Sequence, residues 1–339
     1  MIHIPYLGSG PYCYSHSLAM MMGAGAPEPA VIETVTGSPF GMQLVGGTLP
    51  FFDPYGWTPE TGVEDALTAL GWTADTLSGG DASRALDRLA SLLEAGPVMV
   101  GPIEMGHLRY QPGKTGPIGA DHYLIAVGVE GDHITVHDPQ GYPYAQLPLT
   151  DFVDAWRADT IEYGQPYTMR TGFTRVTDIS TAAAIIAALP RAITWLTADP
   201  DPSMPPASLA NGEAALALAD RLDARDEELR EHLIHFAVRV GARRLADAAT
   251  CLLRVGCATP AATLSRQARL VGALQHPLAT GDTRTAAQIL RVLAPTYDTV
   301  RTDLAHTLAT AASANPMPAA PRPAPRTNAA PAATSATSS

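Results

Sequence analysis

Residues 10–23 read GPYCYSHSLAMMMG and residues 121–141 read DHYLIAVGVEGDHITVHDPQG, and these two stretches decide the fold. In the first, loop-forming Gly and Pro precede an apolar run, which predicts a helix that begins at the cysteine and that Gly23 caps. The second holds two β-rich runs, 122–129 and 133–137, and the Glu-Gly-Asp between them is typical of a hairpin turn. The sequence therefore predicts a helix followed by antiparallel strands.

The rest of the first half extends this pattern. Residues 24–62 are rich in Gly and Pro and are predicted to form a long loop region. Helices followed by antiparallel strands predict an α+β domain over 1–179. The further predicted elements are helices at 61–70 and 81–94, strands at 97–103 and 145–148, and a short helix at 150–157.

The second half is helical by its apolar periodicity, with Gly, Pro or Asp between the runs. We predict an all-α helical domain over 180–312. Residues 313–339 consist mainly of Pro, Ala, Ser and Thr without hydrophobic periodicity, and they are predicted to be a disordered tail because they cannot offset their ordering entropy. The predicted helices are 181–197, 209–223, 226–239, 242–255, 260–274, 282–293 and 296–312.

Composition argues against several classes of protein. Residues 1–179 hold 7 Lys or Arg and 20 Asp or Glu, a net charge of −13, whereas the whole chain carries −11. Such an acidic half disfavours nucleic acid and suits a cationic partner, although solubility alone would also explain it.

The sequence shows no secretory leader and no apolar run of about 18 residues, so no membrane association is predicted. Three cysteines without CxxC spacing predict a reduced, cytoplasmic protein with no metal and no cofactor.

Three polar residues of the two deciding stretches have the chemistry of an activated thiol. Cys13 begins the first helix, where the helix dipole and unpaired N–H groups favour a thiolate and can bind an oxyanion. His122 begins one predicted strand and Asp138 follows the next, and antiparallel pairing brings them close enough for the carboxylate to orient the imidazole. We predict that Cys13 is the nucleophile, His122 its base and Asp138 the orienting acid.

Each of these residue types also has an ordinary structural explanation as a buried thiol, a packed histidine or a turn-forming aspartate. His16 lies one helical turn after the cysteine, where alignment for proton transfer is poor, so it is predicted as a packing residue or a substrate contact. His107 lies in the loop before the strands and is predicted as a substrate contact. His137 is a second possible base, but neighbouring strand positions face opposite ways. Asp121 could replace the orienting acid, but its side chain should diverge from the adjacent His122.

The stretches GPYCYSHSLAMMMG, AGPVMVGPIEMGHL and DHYLIAVGVEGDHITVHDPQG together resemble the papain-like fold of the C39-type peptidases. More closely, the chain is similar to the butirosin biosynthesis protein H family, whose members join such a cysteine domain to a helical C-terminal domain. In the second half, NGEAALALADRL and VRVGARRLADAATCLLRVG resemble the signatures of that helical domain. The resemblance implies a papain-like domain with an antiparallel sheet, followed by the helical domain.

The resemblance also implies a reaction, which is acyl transfer in natural-product (antibiotic) biosynthesis. An acyl carrier protein, or another acyl-thioester donor, would supply the acyl group, and a small amine would accept it. Cys13 would match the acyl-accepting thiol, His122 the base and Asp138 the orienting acid. A basic surface could dock an acidic carrier protein, and its candidates are Arg239, Arg243 and Arg244, which could equally form an ordinary solvated helix face.

The oxyanion-binding group departs from the pattern that the resemblance implies. Many papain-like enzymes place a Gln about six residues before the cysteine, and Leu7 stands there instead. Oxyanion binding is then expected from backbone N–H groups of Cys13 and its neighbours, or from Ser9 or Tyr12. Two other functions stay open: a cysteine peptidase or amidase with the same three residues, and a binding module that lacks chemistry.

Overall fold

A computed structural model describes residues 11–223 and 227–314. The first helix has the predicted extent, because Gly23 adopts a φ of 61° that stops it. The elements of the first part are α1 (Cys13–Met22), α2 (Pro29–Val35), β1 (Gln43–Val45), β2 (Leu49–Phe51), α3 (Pro59–Leu70), β3 (Trp72–Leu77), α4 (Ala82–Ala95), β4 (Val98–Glu104), β5 (Asp121–Glu130), β6 (His133–Asp138), β7 (Tyr142–Pro148), α5 (Leu149–Trp156) and β8 (Met169–Arg175).

Six of these strands form one sheet, in the order β3-β8-β4-β5-β6-β7, and every neighbouring pair is antiparallel. The predicted hairpin is present, with Glu130 opposite His133 across its turn. The mixed α+β architecture with an antiparallel sheet is therefore confirmed. The predicted loop region 24–62 was wrong in part, because it contains α2 and the short strands β1 and β2.

The sheet has an apolar core on each face. Successive side chains of strand β5 point alternately into the two cores. Tyr123 and Ile125 lie on the face that carries α1, and Leu124 lies on the other face. Beneath the second face lie α4 and α5, which contribute Leu89 and Trp156. The part of the strand that carries the predicted base is thus buried on both sides.

The second half is helical, as predicted. Its helices are α6 (Thr181–Thr197), α7 (Asn211–Asp223), α8 (Glu227–His232), α9 (Val238–Arg254), α10 (Ala258–Ala273), α11 (Gln275–Ala279), α12 (Thr283–Leu293) and α13 (Thr296–Ala314), with a π-helical turn at 233–237 between α8 and α9. Strand β9 (Leu209–Ala210) pairs with β1 in a second, three-stranded sheet. The last helix runs two residues past the predicted end at 312.

The two halves share one apolar core. A single cluster of buried side chains runs from Tyr14 in α1 to Leu304 in α13. Arg244 of α9 reaches into the first half and pairs with Glu33 of α2, at 2.7 Å between guanidinium Nε and carboxylate Oε1.

The predicted domain boundary at residue 180 stays a prediction. The predicted tail also stays a prediction, because residues 315–339 lie outside the described residues. Ser9 lies outside them as well. Among the described residues, no helix combines the length and apolar character needed to span a bilayer.

Candidate active site

Cys13 is the first residue of α1, and its side chain is partly exposed. The preceding residue, Tyr12, has φ 85° and ψ 45°, a left-handed conformation that non-glycine residues rarely adopt. No side chain caps the helix start. The first N–H groups of a helix have no partner within the helix, and those at the start of α1 lie next to the thiol.

His122 and Asp138 meet at one end of the β5–β6 pair. The distance from imidazole Nε2 to carboxylate Oδ1 is 2.7 Å. Both side chains are almost fully buried, with exposed fractions of 1% and 0%. A short hydrogen bond between two buried groups fixes the ring orientation and leaves Nδ1 as the nitrogen for another partner.

Cys13 lies beside this imidazole, because its interactions with His122 help to raise the pKa of the histidine. The structure therefore brings together the three residues that the sequence singled out, in the order thiol, imidazole and carboxylate. Their catalytic roles stay predictions. Among the described residues, no group of three or more His, Cys, Asp or Glu is arranged to hold a metal ion.

The electrostatics of the site favour a charged histidine. Burial by itself would lower the pKa of His122, but the Asp138 carboxylate and the interactions with Cys13 raise that pKa to about 10. Burial would raise the pKa of Asp138, but the charge and hydrogen bond of His122, with further donors, lower it to about 2. An imidazolium beside Cys13 is the partner that a thiolate requires.

These two pKa values predict how the pair contributes to stability as pH changes. The pKa of His122 is raised from 6.5, so its contribution is complete below pH 6.5 and is lost as pH rises through about 10. The pKa of Asp138 is lowered from 3.8, so its contribution is complete above pH 3.8 and is lost as pH falls through about 2. We expect Asp138→Asn to lower the free energy of unfolding most between about pH 4 and 6.5 and least near pH 10, as measured by urea denaturation. An equal loss at pH 5 and pH 10 would contradict the assignment.

Two further side chains, which the sequence analysis did not single out, hold Asp138. Tyr110 donates its hydroxyl to carboxylate Oδ2 at 2.9 Å, and Gln111 donates its side-chain amide to the same oxygen at 2.7 Å. The backbone N–H of Gln140 donates to Oδ1 at 2.8 Å. Because every one of these groups donates, the carboxylate is stabilised in its charged form. Tyr110 and Gln111 lie in a Gly- and Pro-rich loop that has no periodicity, so only their polarity could have drawn attention to them.

A buried carboxylate binds backbone N–H groups of that loop. Glu104, with an exposed fraction of 1%, ends β4 where the loop begins. A Cβ on Gly106 would lie 2.0 Å from the carbonyl oxygen of Gly116, so the loop can close this tightly only with glycine there. The donors to the Glu104 carboxylate are the N–H groups of Gly106, Ile118 and Gly119 and the hydroxyl of Thr160.

The residues predicted to contact the oxyanion or the substrate lie at different positions in the structure. His16 is buried, and its Nδ1 lies 2.9 Å from the carbonyl oxygen of Tyr12, while burial lowers its pKa. The hydroxyl of Tyr12 donates to Asp247 of α9 at 3.0 Å. His107 ends a short 3₁₀ turn directly after β4 and is partly exposed.

The alternatives to the predicted base and acid are occupied elsewhere. His137 accepts the backbone N–H of Tyr144 at its Nδ1, 3.1 Å away. Burial raises the pKa of Asp121, and the interactions of this carboxyl with Tyr163 and His122 act against that shift. The predicted docking role of Arg244 is wrong, because its side chain is 6% exposed and pairs with two carboxylates inside the protein.

Comparison with known proteins yields two matches. Residues 205–305 match the family model of the YobF C-terminal domain. Over 161 residues the chain is 33% identical to the uncharacterized protein YobF of Bacillus subtilis (strain 168), which covers 47% of this chain and 52% of that relative. The chain thus spans about half the length of the curated relative it matches. These matches support a relationship to YobF, and the resemblance to the butirosin family stays a prediction. The helical part of the chain, from 205 to 305, is similar to the YobF C-terminal domain.

Proposed function

We propose that the protein is a cysteine-dependent acyltransferase, in which Cys13 takes an acyl group from a thioester and passes it to an amine. The observation that carries this proposal is the contact of a helix-terminal thiol with a buried imidazole that a carboxylate orients. The other cysteines do not compete, because Cys251 and Cys257 are buried and burial raises the pKa of each thiol. The resemblance noted in the sequence supports acyl transfer as the reaction.

In the first step, the Cys13 thiolate attacks the thioester carbonyl carbon and forms a new C–S bond. The tetrahedral intermediate then collapses and breaks the bond to the donor sulfur. His122, as the imidazolium, gives its proton to the departing thiolate, so that a neutral thiol leaves. The products of this half-reaction are acyl-Cys13, neutral His122 and the free donor thiol.

In the second step, an amine attacks the acyl-Cys13 carbonyl carbon. Neutral His122 takes a proton from the attacking nitrogen, the C–S bond to Cys13 breaks, and an amide is released. The thiolate and the imidazolium are thereby restored. Overall, a thioester and an amine become an amide and a thiol, and no oxidant or metal is consumed.

Backbone N–H groups would bind the oxyanion of each tetrahedral intermediate. A left-handed residue followed by a helical one arranges successive N–H groups into a concave anion-binding nest, and Tyr12 followed by Cys13 has this conformation. The N-terminal end of α1 adds the favourable field of the helix dipole. These groups would take the place of the Gln that the sequence lacks.

Incubation with a short-chain acyl thioester of N-acetylcysteamine tests the proposal. Without an amine, we expect the acyl mass to appear on the peptide that contains Cys13, and with an added primary amine we expect the corresponding amide. Release of free acid alone, with and without amine, would replace the transferase with a hydrolase that uses the same residues. No acylation at all, with Cys13 no more reactive toward iodoacetamide than Cys251, would instead favour a binding module.

A further inference from the structure

We propose that α9 is part of the active site. This helix lies in the YobF-like region, residues 205–305, which match the YobF C-terminal domain. Its residues Asp247 and Arg243 are positioning residues that hold Tyr12 and thereby place Cys13. This inference rests on the proposed function, since it concerns the geometry of the same thiol. It gives the YobF-like region a role at the reaction centre.

The side chain of Tyr12 is clamped by two residues of α9. Its hydroxyl donates to Asp247 Oδ2 at 3.0 Å. The guanidinium of Arg243 lies 4.5 Å from the centre of its ring, within the range of a cation–π interaction. Arg243 and Asp247 are one helical turn apart and contact each other at 3.5 Å, so they form a single unit. Tyr12 is 3% exposed, which shows that this contact is a packed one.

The backbone of Tyr12 needs such support. A non-glycine residue in the left-handed region is strained and persists only where its surroundings impose that conformation. At its carbonyl end, Tyr12 accepts the backbone N–H of His16 at 2.9 Å and lies 2.9 Å from the Nδ1 of the same residue. At its hydroxyl end, Asp247 holds it. Both ends of the residue that precedes the nucleophile are therefore fixed.

Helix α9 can act as a rigid support because a buried ionic network anchors it. Arg244, next to Arg243 in the sequence, binds Glu33 at 2.7 Å and Asp53 at 2.9 Å. Its Nη2 also donates to the hydroxyl of Tyr14 at 2.9 Å, which connects α9 directly to α1. Movement of α9 relative to α1 would break these buried bonds, so the position of Asp247 relative to Tyr12 is set by the fold.

Substitutions of Tyr12 and Asp247 test this inference through the reactivity of Cys13. Tyr12→Phe and Asp247→Ala each remove the hydrogen bond, and Asp247→Asn keeps an acceptor oxygen in the same place. Arg254→Ala is the matched control, because it breaks an exposed ion pair between α9 and Glu28 of the first half without touching Tyr12. The measurements are the rate of Cys13 alkylation by iodoacetamide from pH 5 to 10 and the rate of acyl-Cys13 formation from acetyl-N-acetylcysteamine thioester.

We expect Tyr12→Phe and Asp247→Ala to lower both rates about tenfold at neutral pH, because a displaced thiol loses its alignment with His122. The pH dependence of alkylation should also differ from that of the unaltered protein in both variants. Asp247→Asn should recover most of the loss, and the double variant Tyr12→Phe/Asp247→Ala should be no slower than either single one. Arg254→Ala should match the unaltered protein.

Alkylation rates and pH profiles equal to those of the unaltered protein in both Tyr12→Phe and Asp247→Ala would overturn the inference. An equal loss in Arg254→Ala would also overturn it, because general loosening of α9 would then explain the effect. Tyr12→Phe keeps the packed ring, so it remains informative if Asp247→Ala unfolds. Failure of the proposed function has a different signature, which is the absence of acyl-Cys13 in the unaltered protein whatever the alkylation rates of the variants.

Discussion

Replacement of His122 with alanine is expected to slow the formation of acyl-Cys13 by about two to four orders of magnitude, the usual contribution of a positioned acid–base group. In the proposed mechanism, the imidazolium stabilises the thiolate before attack and supplies the proton that the leaving thiol needs. The 2.7 Å bond to Asp138 keeps the ring in place for both tasks. Single-turnover mass spectrometry with the acyl thioester measures the rate directly.

His133→Ala is the matched control for this experiment. His133 begins the same strand that Asp138 ends, but its side chain is 44% exposed and pairs with the neighbouring Asp132. We expect this variant to acylate at the rate of the unaltered protein. If His122→Ala were as fast as His133→Ala, the imidazole would have no part in the reaction, and the three residues would be a structural cluster.

Replacement of Arg244 with alanine should have the largest effect on stability. The substitution would leave the carboxylates of Glu33 and Asp53 buried without a counter-charge, and breaking a buried ion pair in this way costs about 3–5 kcal/mol. Urea denaturation followed by tryptophan fluorescence would measure the free energy of unfolding. The hydroxyls of Ser15 and Ser38 also donate to Glu33, and they cannot replace the missing positive charge.

Arg254→Ala serves as the control here as well. Its ion pair with Glu28 joins the same helix to the same half of the chain, but both side chains are more than half exposed. Exposed pairs contribute about 0–1 kcal/mol, so this variant should lose little stability. A loss for Arg244→Ala as small as that for Arg254→Ala would mean that the buried carboxylates become protonated or hydrated at low cost.

The local signals in the sequence were sufficient for the elements that carry the three central residues. A Gly-Pro loop before an apolar run located α1, and a turn sequence between two β-rich runs located β5 and β6. These features depend on residues near one another in the chain. The sequence therefore placed Cys13, His122 and Asp138 on the correct elements without any knowledge of their contacts.

The missed elements depend on distant partners. Strand β3 is mostly exposed and exists because it pairs with β8, nearly a hundred residues later in the chain, so its own pattern is weak. Strand β1 is short, and it pairs with β9 of the second half.

Arg244 resembled a surface residue of an amphipathic helix, and only the fold shows that Glu33 and Asp53 lie opposite it. Tyr110 and Gln111 belong to a loop whose course is set by Glu104 and not by any repeat.

The shared core has a consequence for how the protein is made. Arg244 follows Glu33 by 211 residues, so the ribosome synthesises the whole sheet long before the counter-charge for α2 exists. Until α9 is synthesised, Glu33 and Asp53 lack the arginine that pairs with them, and Tyr12 lacks the carboxylate that accepts its hydroxyl. The counter-charge for Glu33 and the hydrogen-bond partner of Tyr12 are therefore both synthesised late in translation, long after the residues that flank Cys13.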